Sequence, residues 1–389
     1  MTELTTEKKP LHFVQLDALR FLAAFLIVIV HAWEGWVAWY GKPGLLTHAD
    51  HKTYTWLGDR VTMLVHNMNF GVDMFFLISG FLITYLLLKE KTDKGKINIP
   101  AFFLRRVLRI WPLYFFVILV GPLIVWWLQQ SSPDIKQPEY LPVIFFYNNF
   151  RTIATESWQF PFAHFWSICI EEHFYLVWPF LVALFPMKKL PHVFITVIVA
   201  SIAYRAYASL NGLGWYPLYL HTLARIDVLA IGGLVAYAHF HRPYSLNIPL
   251  YIRLLLFGLL LWGLCYIDMT DWNSLFDAIW KKYIFLLLAG ILMMNYVFSP
   301  NVFFKWGPKH IINYLGRCCF GIYLWGNILL QILIYKLFNN HPVLGYAPWW
   351  AYWPIVIGVS LVVPVISYEL IEKPFLKLKA KFAIVKTRV

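Results

Sequence analysis

Three observations predict an all-α, polytopic membrane protein of about ten transmembrane helices. First, 60% of the 389 residues are hydrophobic and only 14% are charged, where a soluble domain has about 45–50% and about 25%. Second, the apolar residues come in long runs, each close to the roughly 20 residues that cross a bilayer. Third, the basic residues gather in short segments between alternate runs, the pattern that orients helices in a membrane. The mean hydropathy of +0.60 is too high for one buried core, so much of this surface must face lipid. Trp, Tyr and Phe make up 19% of the chain, which suits anchoring at membrane interfaces.

The runs lie near 13–38, 68–88, 108–129, 165–185, 191–209, 225–240, 250–267, 281–299, 313–336 and 350–370. The first follows a polar segment with Lys8 and Lys9. It is too long for a signal-peptide core and has no small-residue cleavage site, so it reads as a retained span. The fourth and sixth are short or carry charge. With ten spans, Lys8 and Lys9, the Lys89–Arg109 group, Lys188 and Lys189, His239 to Arg242, Lys305 and Lys309, and the tail from Lys373 to Arg388 share one side. Both termini are then cytoplasmic. No repeat, long linker or composition shift divides the chain, and 1–389 reads as one transmembrane domain. On the opposite side, 39–66 and 130–164 are longer, and 268–280 sets Asp268, Asp271 and Asp277 beside Trp272 and Trp280. Such loops are either plain external connections or cover for a cavity and contact for a carbohydrate.

The net charge of +13, from 33 Lys plus Arg against 20 Asp plus Glu, needs no nucleic-acid partner, because membrane orientation accounts for most of it. Cys169, Cys265, Cys318 and Cys319 form no CxxC pair, and no His-rich spacing accompanies them. They read as small apolar side chains in helices, and no metal site is expected.

Ionisable residues deep in a span are costly and usually face a cavity or a partner. The first run holds Asp17, Arg20, His31 and Glu34. Arg20 and His31 are eleven residues apart, three turns plus about 20°, so they share one face about 16 Å apart along the axis. A histidine takes up a proton near neutral pH. His31 therefore suits a base that activates a hydroxyl, with a carboxylate on its other ring nitrogen fixing the tautomer. In the second run Asp73 would pair with an arginine from another helix, and Ser79 and Gly80 permit close helix packing. Before the third run, Arg109 would share a helix face with Arg106 and another with Arg105. They suit either phosphate binding or anchoring at anionic headgroups. The fourth run places Glu171, Glu172 and His173 together, with Glu171 one turn from Ser167 and from Tyr175. These carboxylates would orient His31, pair with Arg20, or form a structural ion network.

The order of these motifs resembles the membrane-bound acyltransferase family 3, the O-acyltransferases of bacterial surface polysaccharides. The likeness runs from about Leu16 to Phe375. It rests on Arg20 with His31, on Gly71-Val-Asp-Met-Phe-Phe-Leu-Ile-Ser-Gly-Phe-Leu-Ile, and on Arg106-Val-Leu-Arg109. It also rests on Trp166-Ser-Ile-Cys-Ile-Glu-Glu-His-Phe-Tyr and on Ile371-Glu-Lys-Pro-Phe. The resemblance implies an acyl-CoA donor, usually acetyl-CoA, approached from the cytoplasm of a bacterial cell at its inner membrane. It also implies a glycan or lipid-linked glycan acceptor. Two departures stand out. Gly326 follows Tyr323-Leu-Trp325 where many relatives have a histidine. The sequence also ends soon after the last run, where some relatives continue into an extracytoplasmic domain, so a separate extracytoplasmic partner or direct transfer is expected.

The residue roles expected are His31 as base, Arg20 as its electrostatic partner, Glu171 or Glu172 as orienting carboxylate, and Arg105, Arg106 and Arg109 on the phosphates of the donor. A proton-coupled transporter using His31, Glu171 and Asp227 is the alternative, although no inverted repeat or matched pair of broken helices supports it. A structural partner in a glycan-assembly complex is the third.

Overall fold

The computed structural model describes residues 13–40, 54–243, 246–269, 271–272, 274–299, 305–338 and 349–381. Both chain ends lie outside this set, with Lys8, Lys9, Lys386 and Arg388, as do residues 41–53 of the first external loop. Among the described residues there is no β-strand. The helices are α1 Val14–Tyr40, α2 Trp56–His66, α3 Gly71–Lys94, α4 Ile99–Gln129, α5 Tyr140–Ile144, α6 Asn148–Thr155, α7 Trp166–Leu184 and α8 Leu190–Leu210. Then come α9 Trp215–Leu220, α10 Thr222–His241, α11 Leu250–Tyr266, α12 Lys282–Phe298, α13 Ile311–Arg317, α14 Cys319–Ile332, α15 Trp349–Ser367 and α16 Lys373–Lys381.

Every one of the ten apolar runs is helical. Nine helical stretches among the described residues are long and apolar enough to cross a membrane. The remaining run, α11, has 17 residues, roughly 26 Å at 1.5 Å per residue, short of the ~30 Å hydrocarbon core. The third run begins earlier than its apolar stretch. Asn98 caps α4 by accepting from the Ala101 N–H at 3.0 Å, which extends the helix back to Ile99 and carries all three arginines onto it.

Helices in lipid associate by close packing and buried polar pairs, and both are present. A Cβ on Gly80 of α3 would lie 2.0 Å from the Leu229 carbonyl oxygen of α10, and one on Gly232 would lie 2.3 Å from the Leu77 oxygen. These two backbones therefore touch. At Gly316, α13 meets Asp17 of α1 in the same way, with 1.9 Å from Cβ to the Asp17 oxygen.

Buried ion pairs lock the other side. Asp227, fully buried on α10, accepts from Arg205 of α8 at 2.8 Å, Lys282 of α12 at 3.0 Å and the Tyr283 hydroxyl at 2.6 Å. Asp73 pairs with Arg225 at 3.4 Å, the interhelical arginine expected for it. Each cation here neutralises a carboxylate that would otherwise be stranded in an apolar bundle.

Candidate active site

A cavity runs inward from the end of the bundle at which α1 begins. It lies between α1, α3, α4, α7, α14 and the segment after α15. Its walls carry five cations, Arg20, Arg106, Arg109, Arg317 and Lys379, and three carboxylates, Asp17, Glu171 and Glu372. That leaves an excess of two positive charges, in a space otherwise lined mainly by Phe, Leu and Ile.

Local structure accounts for the aim of each charged group. Arg106 and Arg109 are three residues apart on α4, hence on one face. The Arg106 guanidinium lies 5.8 Å from the ring centre of Tyr175 and 5.7 Å from that of Phe102. Arg20 is 3.7 Å from Asp17, one turn earlier on α1. Residues Tyr368–Glu372 form a π-helical turn, and widened turns of this kind often occur at functional sites. Here Tyr368 and Glu372 line the cavity, whereas Glu369 takes the Tyr314 hydroxyl at 2.8 Å and the Lys373 ammonium. A buried oxygen of Glu372 has no hydrogen-bond partner. Beyond this turn, α16 carries Lys379 back over the cavity.

The inner part of the cavity is polar along one wall. Glu171 accepts from Ser79 Oγ at 2.8 Å and from the Tyr175 hydroxyl at 3.2 Å. At the floor, the Tyr323 hydroxyl donates to the His164 carbonyl at 2.8 Å and lies 2.6 Å from Ser167 Oγ. The His164 ring, itself buried, donates from Nε2 to the Leu324 carbonyl at 2.9 Å.

His31 lies further along α1 and is not among the residues that line this cavity. Its Nδ1 is 3.1 Å from Glu34 Oε2, with the two side chains 26% and 48% exposed. Nδ1–H donates to the carboxylate, which leaves Nε2 with a lone pair that can accept a proton. Gly326 faces the same stretch of α1. A Cβ there would sit 3.2 Å from Val28 Cγ2, so the absence of a larger residue at 326 lets α14 lie close beneath His31.

Of the residues singled out in the sequence, Arg20, Arg106, Arg109 and Glu171 meet in one cavity. Arg105 does not line it. Its guanidinium is held by Glu90 at 2.9 Å, and the second Glu90 oxygen accepts the Asn98 N–H at 2.7 Å. Glu172 lies on the other side of α7, outside the lining, with one oxygen buried and unpartnered. The carboxylate touching His31 is Glu34, not Glu171 or Glu172. Its signal was a spacing of three residues on one helix. Ser79, Tyr175, Tyr323, Arg317, Glu372 and Lys379 were not read as site residues. The first three look like ordinary packing, and Lys379 belongs to a tail whose charge orientation alone explains. Asp227, a relay group under the transport alternative, is closed inside its cation cluster. Among the described residues no group of three or more His, Cys, Asp or Glu is arranged to hold a metal ion.

Comparison with known proteins bears on this geometry. A family model described as an acyltransferase domain matches residues 13–369. A protein of Staphylococcus aureus (strain COL), provisionally named an O-acetyltransferase, is 26% identical over 393 residues, covering 96% of this chain and 59% of its own. The peptidoglycan O-acetyltransferase OatA of Listeria monocytogenes serovar 1/2a is 23% identical, with 82% and 54% covered. The O-acetyltransferase OatA of Staphylococcus aureus (strain NCTC 8325) is 26% identical, with 79% and 52% covered. The chain thus spans between half and three-fifths of the length of these relatives. No solved structure matches it. With the model spanning nearly all of the described bundle, cavity and His31 included, the chain belongs to the acyltransferase family that this domain defines.

Proposed function

We propose that the chain is a multi-pass membrane O-acyltransferase that takes an acetyl group from acetyl-CoA and passes it to a hydroxyl of a surface polysaccharide or its lipid-linked precursor. The observation that carries this reading is the convergence of Arg20, Arg106, Arg109, Arg317 and Lys379 on one cavity, with His31 further along α1, the helix that supplies Arg20. A coenzyme A molecule carries several phosphate charges on a long, thin arm. Guanidinium groups bind such charges strongly, and the apolar inner walls suit the pantetheine arm. On this reading the basic loops and both termini lie in the cytoplasm, the side that positively charged loops favour, and the protein sits in the cell's cytoplasmic membrane.

The transfer then runs as follows. The acceptor hydroxyl loses its proton to His31 Nε2 as its oxygen attacks the thioester carbonyl carbon. The C–O bond forms, the C–S bond breaks, and the departing thiolate recovers the proton from the imidazolium. Glu34 stabilises that imidazolium and holds the ring in the tautomer that can accept. Arg20, about 16 Å from His31 along the helix, lies with Arg106 and Arg109 on the cationic cavity and serves the donor's phosphates there.

Radiolabelled acetyl-CoA and purified protein in detergent test the donor half. The expected result is saturable binding that free CoA competes away and that weakens as salt rises. Binding that free CoA does not displace refutes the reading.

A further inference from the structure

The opposite end of the bundle carries an aromatic surface that no residue role above uses. On α9 the rings of Trp215 and Tyr219, one turn apart, are stacked at 4.5 Å and 18°. Trp272, from the loop after α11, lies 6.1 Å from Trp215 at 16° and 5.8 Å from Tyr219 at 31°. In a column of three rings the outer two would stand about twice as far apart as neighbours. At 5.8 Å, Trp272 lies offset beside the pair instead of continuing a column, with its indole nearly parallel to that of Trp215. Trp158, from the loop before α7, stands at 71° to Trp215 with centroids 6.4 Å apart, an upright wall to that surface.

The surface is held in place without a ligand. The Arg225 guanidinium lies 4.9 Å from the centre of Tyr219, and Asp73 holds Arg225 in turn. The Lys281 ammonium donates to the Asp268 and Asp271 carbonyls at 2.9 and 2.6 Å, pinning the loop that carries Trp272. Anchored rings lose little freedom on binding. Interfacial belt residues behave differently: Trp126, Trp262 and Trp280 are 60%, 56% and 51% exposed, whereas Trp215, Tyr219 and Trp272 are half-buried. Through Arg225 and Asp73 the surface adjoins the start of α3, where a Cβ on Gly71 would lie 3.1 Å from Ile27 Cγ1, about one turn before His31 on α1.

A pyranose ring has a face of C–H bonds that carries slight positive charge, and indole faces are negative. Its hydroxyls project around the rim, where a carboxylate and an imidazole can meet them. We propose that Trp215 and Trp272 form the acceptor subsite, on which one pyranose ring of the glycan stacks against Trp158 so that a rim hydroxyl faces the His31–Glu34 pair. This rests on the acyl-transfer reading and adds to it the place where the acceptor binds.

The test uses the full chain purified in detergent, with an N-acetylglucosamine tetrasaccharide as probe. Without donor, saturation-transfer NMR reads sugar binding directly. The expected result is binding by the wild type, weakened about tenfold in Trp272→Ala and largely kept in Trp272→Phe, since ~1.4 kcal/mol of aromatic contact corresponds to a tenfold change. Trp215→Ala gives the same loss, and Trp126→Ala, on the lipid-facing side, gives none. CoA-competed donor binding is the same in all of them. Absence of sugar binding to the wild type overturns the proposal, as does equal binding by Trp272→Ala. Failure of the wild type to bind acetyl-CoA overturns the acyl-transfer reading instead.

Discussion

Replacing Glu34 with Gln tests the His31 assignment at its most specific point, because it removes one charge and keeps the shape. In the wild type the carboxylate sits 3.1 Å from Nδ1, where under the proposed mechanism it would stabilise the imidazolium formed during transfer. Two unit charges about 4 Å apart interact by about 1 kcal/mol in water and about 4 kcal/mol at an effective dielectric of 20. The Glu34 side chain is 48% exposed, so solvent screens the pair toward the lower value, and about 1–2 kcal/mol is expected. At about 1.4 kcal/mol per tenfold, kcat falls about 5- to 30-fold. Removal of the base itself in His31→Ala costs more, about 100- to 10,000-fold. The KM for acetyl-CoA stays at the wild-type value in both variants, because neither side chain lines the cationic cavity. The assay is the initial rate of labelled acetyl transfer from acetyl-CoA to the tetrasaccharide by purified protein. A Glu34→Gln enzyme with wild-type kcat, or one whose defect lies wholly in the KM for acetyl-CoA, refutes the dyad.

Three further outcomes are expected. Arg106→Ala and Arg109→Ala each remove a charge-assisted phosphate contact of about 1.5–3 kcal/mol and raise the KM for acetyl-CoA roughly 10- to 100-fold. Arg105→Ala, whose partner is Glu90, leaves that KM where it was; equal effects from all three arginines in steady-state kinetics would contradict the cavity assignment. Asp227→Asn leaves Arg205 and Lys282 facing each other without a full anion, costs about 3–5 kcal/mol, and appears as a lowered melting temperature in detergent; an unchanged melting curve rejects the structural role. Tyr323→Phe removes both hydrogen bonds at the cavity floor and raises acetyl-CoA hydrolysis in the absence of acceptor, measured as free thiol release; no rise means that the floor is not held by that hydroxyl.

Much of this architecture is legible in the sequence, because a bilayer imposes a strong pattern. Long apolar runs must be helices there, since no water satisfies their backbone groups, and all ten runs are. Intramembrane charge is equally informative. Asp73 finds the arginine expected of it, and Arg20, Arg106, Arg109 and Glu171 meet in one cavity. What the sequence leaves open is which neighbour each charge meets. Arg105, Arg106 and Arg109 look equivalent along the chain, and only the return of Glu90 from the end of α3 separates Arg105 from the others. Glu171 and Glu172 are adjacent, but successive helix residues point about 100° apart, so one reaches Ser79 and the other does not. Lys379 was hidden for a different reason. Its approach to the cavity depends on the π-helical turn at Tyr368–Glu372, and nothing in local composition announces such a turn.

The separation of His31 from the cationic cavity raises the question of how an acetyl group reaches it, since reacting atoms must come within about 3–3.5 Å. Two kinds of opening can be compared by cost. Spreading the helices would pull apart backbones that touch at Gly80, Gly232 and Gly316 and expose buried apolar surface at about 25 cal/mol per Å². Releasing the floor needs only that the Tyr323 hydroxyl give up its bonds to the His164 carbonyl and Ser167, at about 0.5–1.5 kcal/mol each. One charge-assisted contact between an arginine and a phosphate, at about 1.5–3 kcal/mol, covers that sum. A donor held more tightly with the floor open than closed, by the equivalent of one such contact, would therefore open it while the bundle stays rigid. Under the acyl-transfer reading, that would place the control of transfer in a tyrosine that composition alone marks as ordinary helix packing.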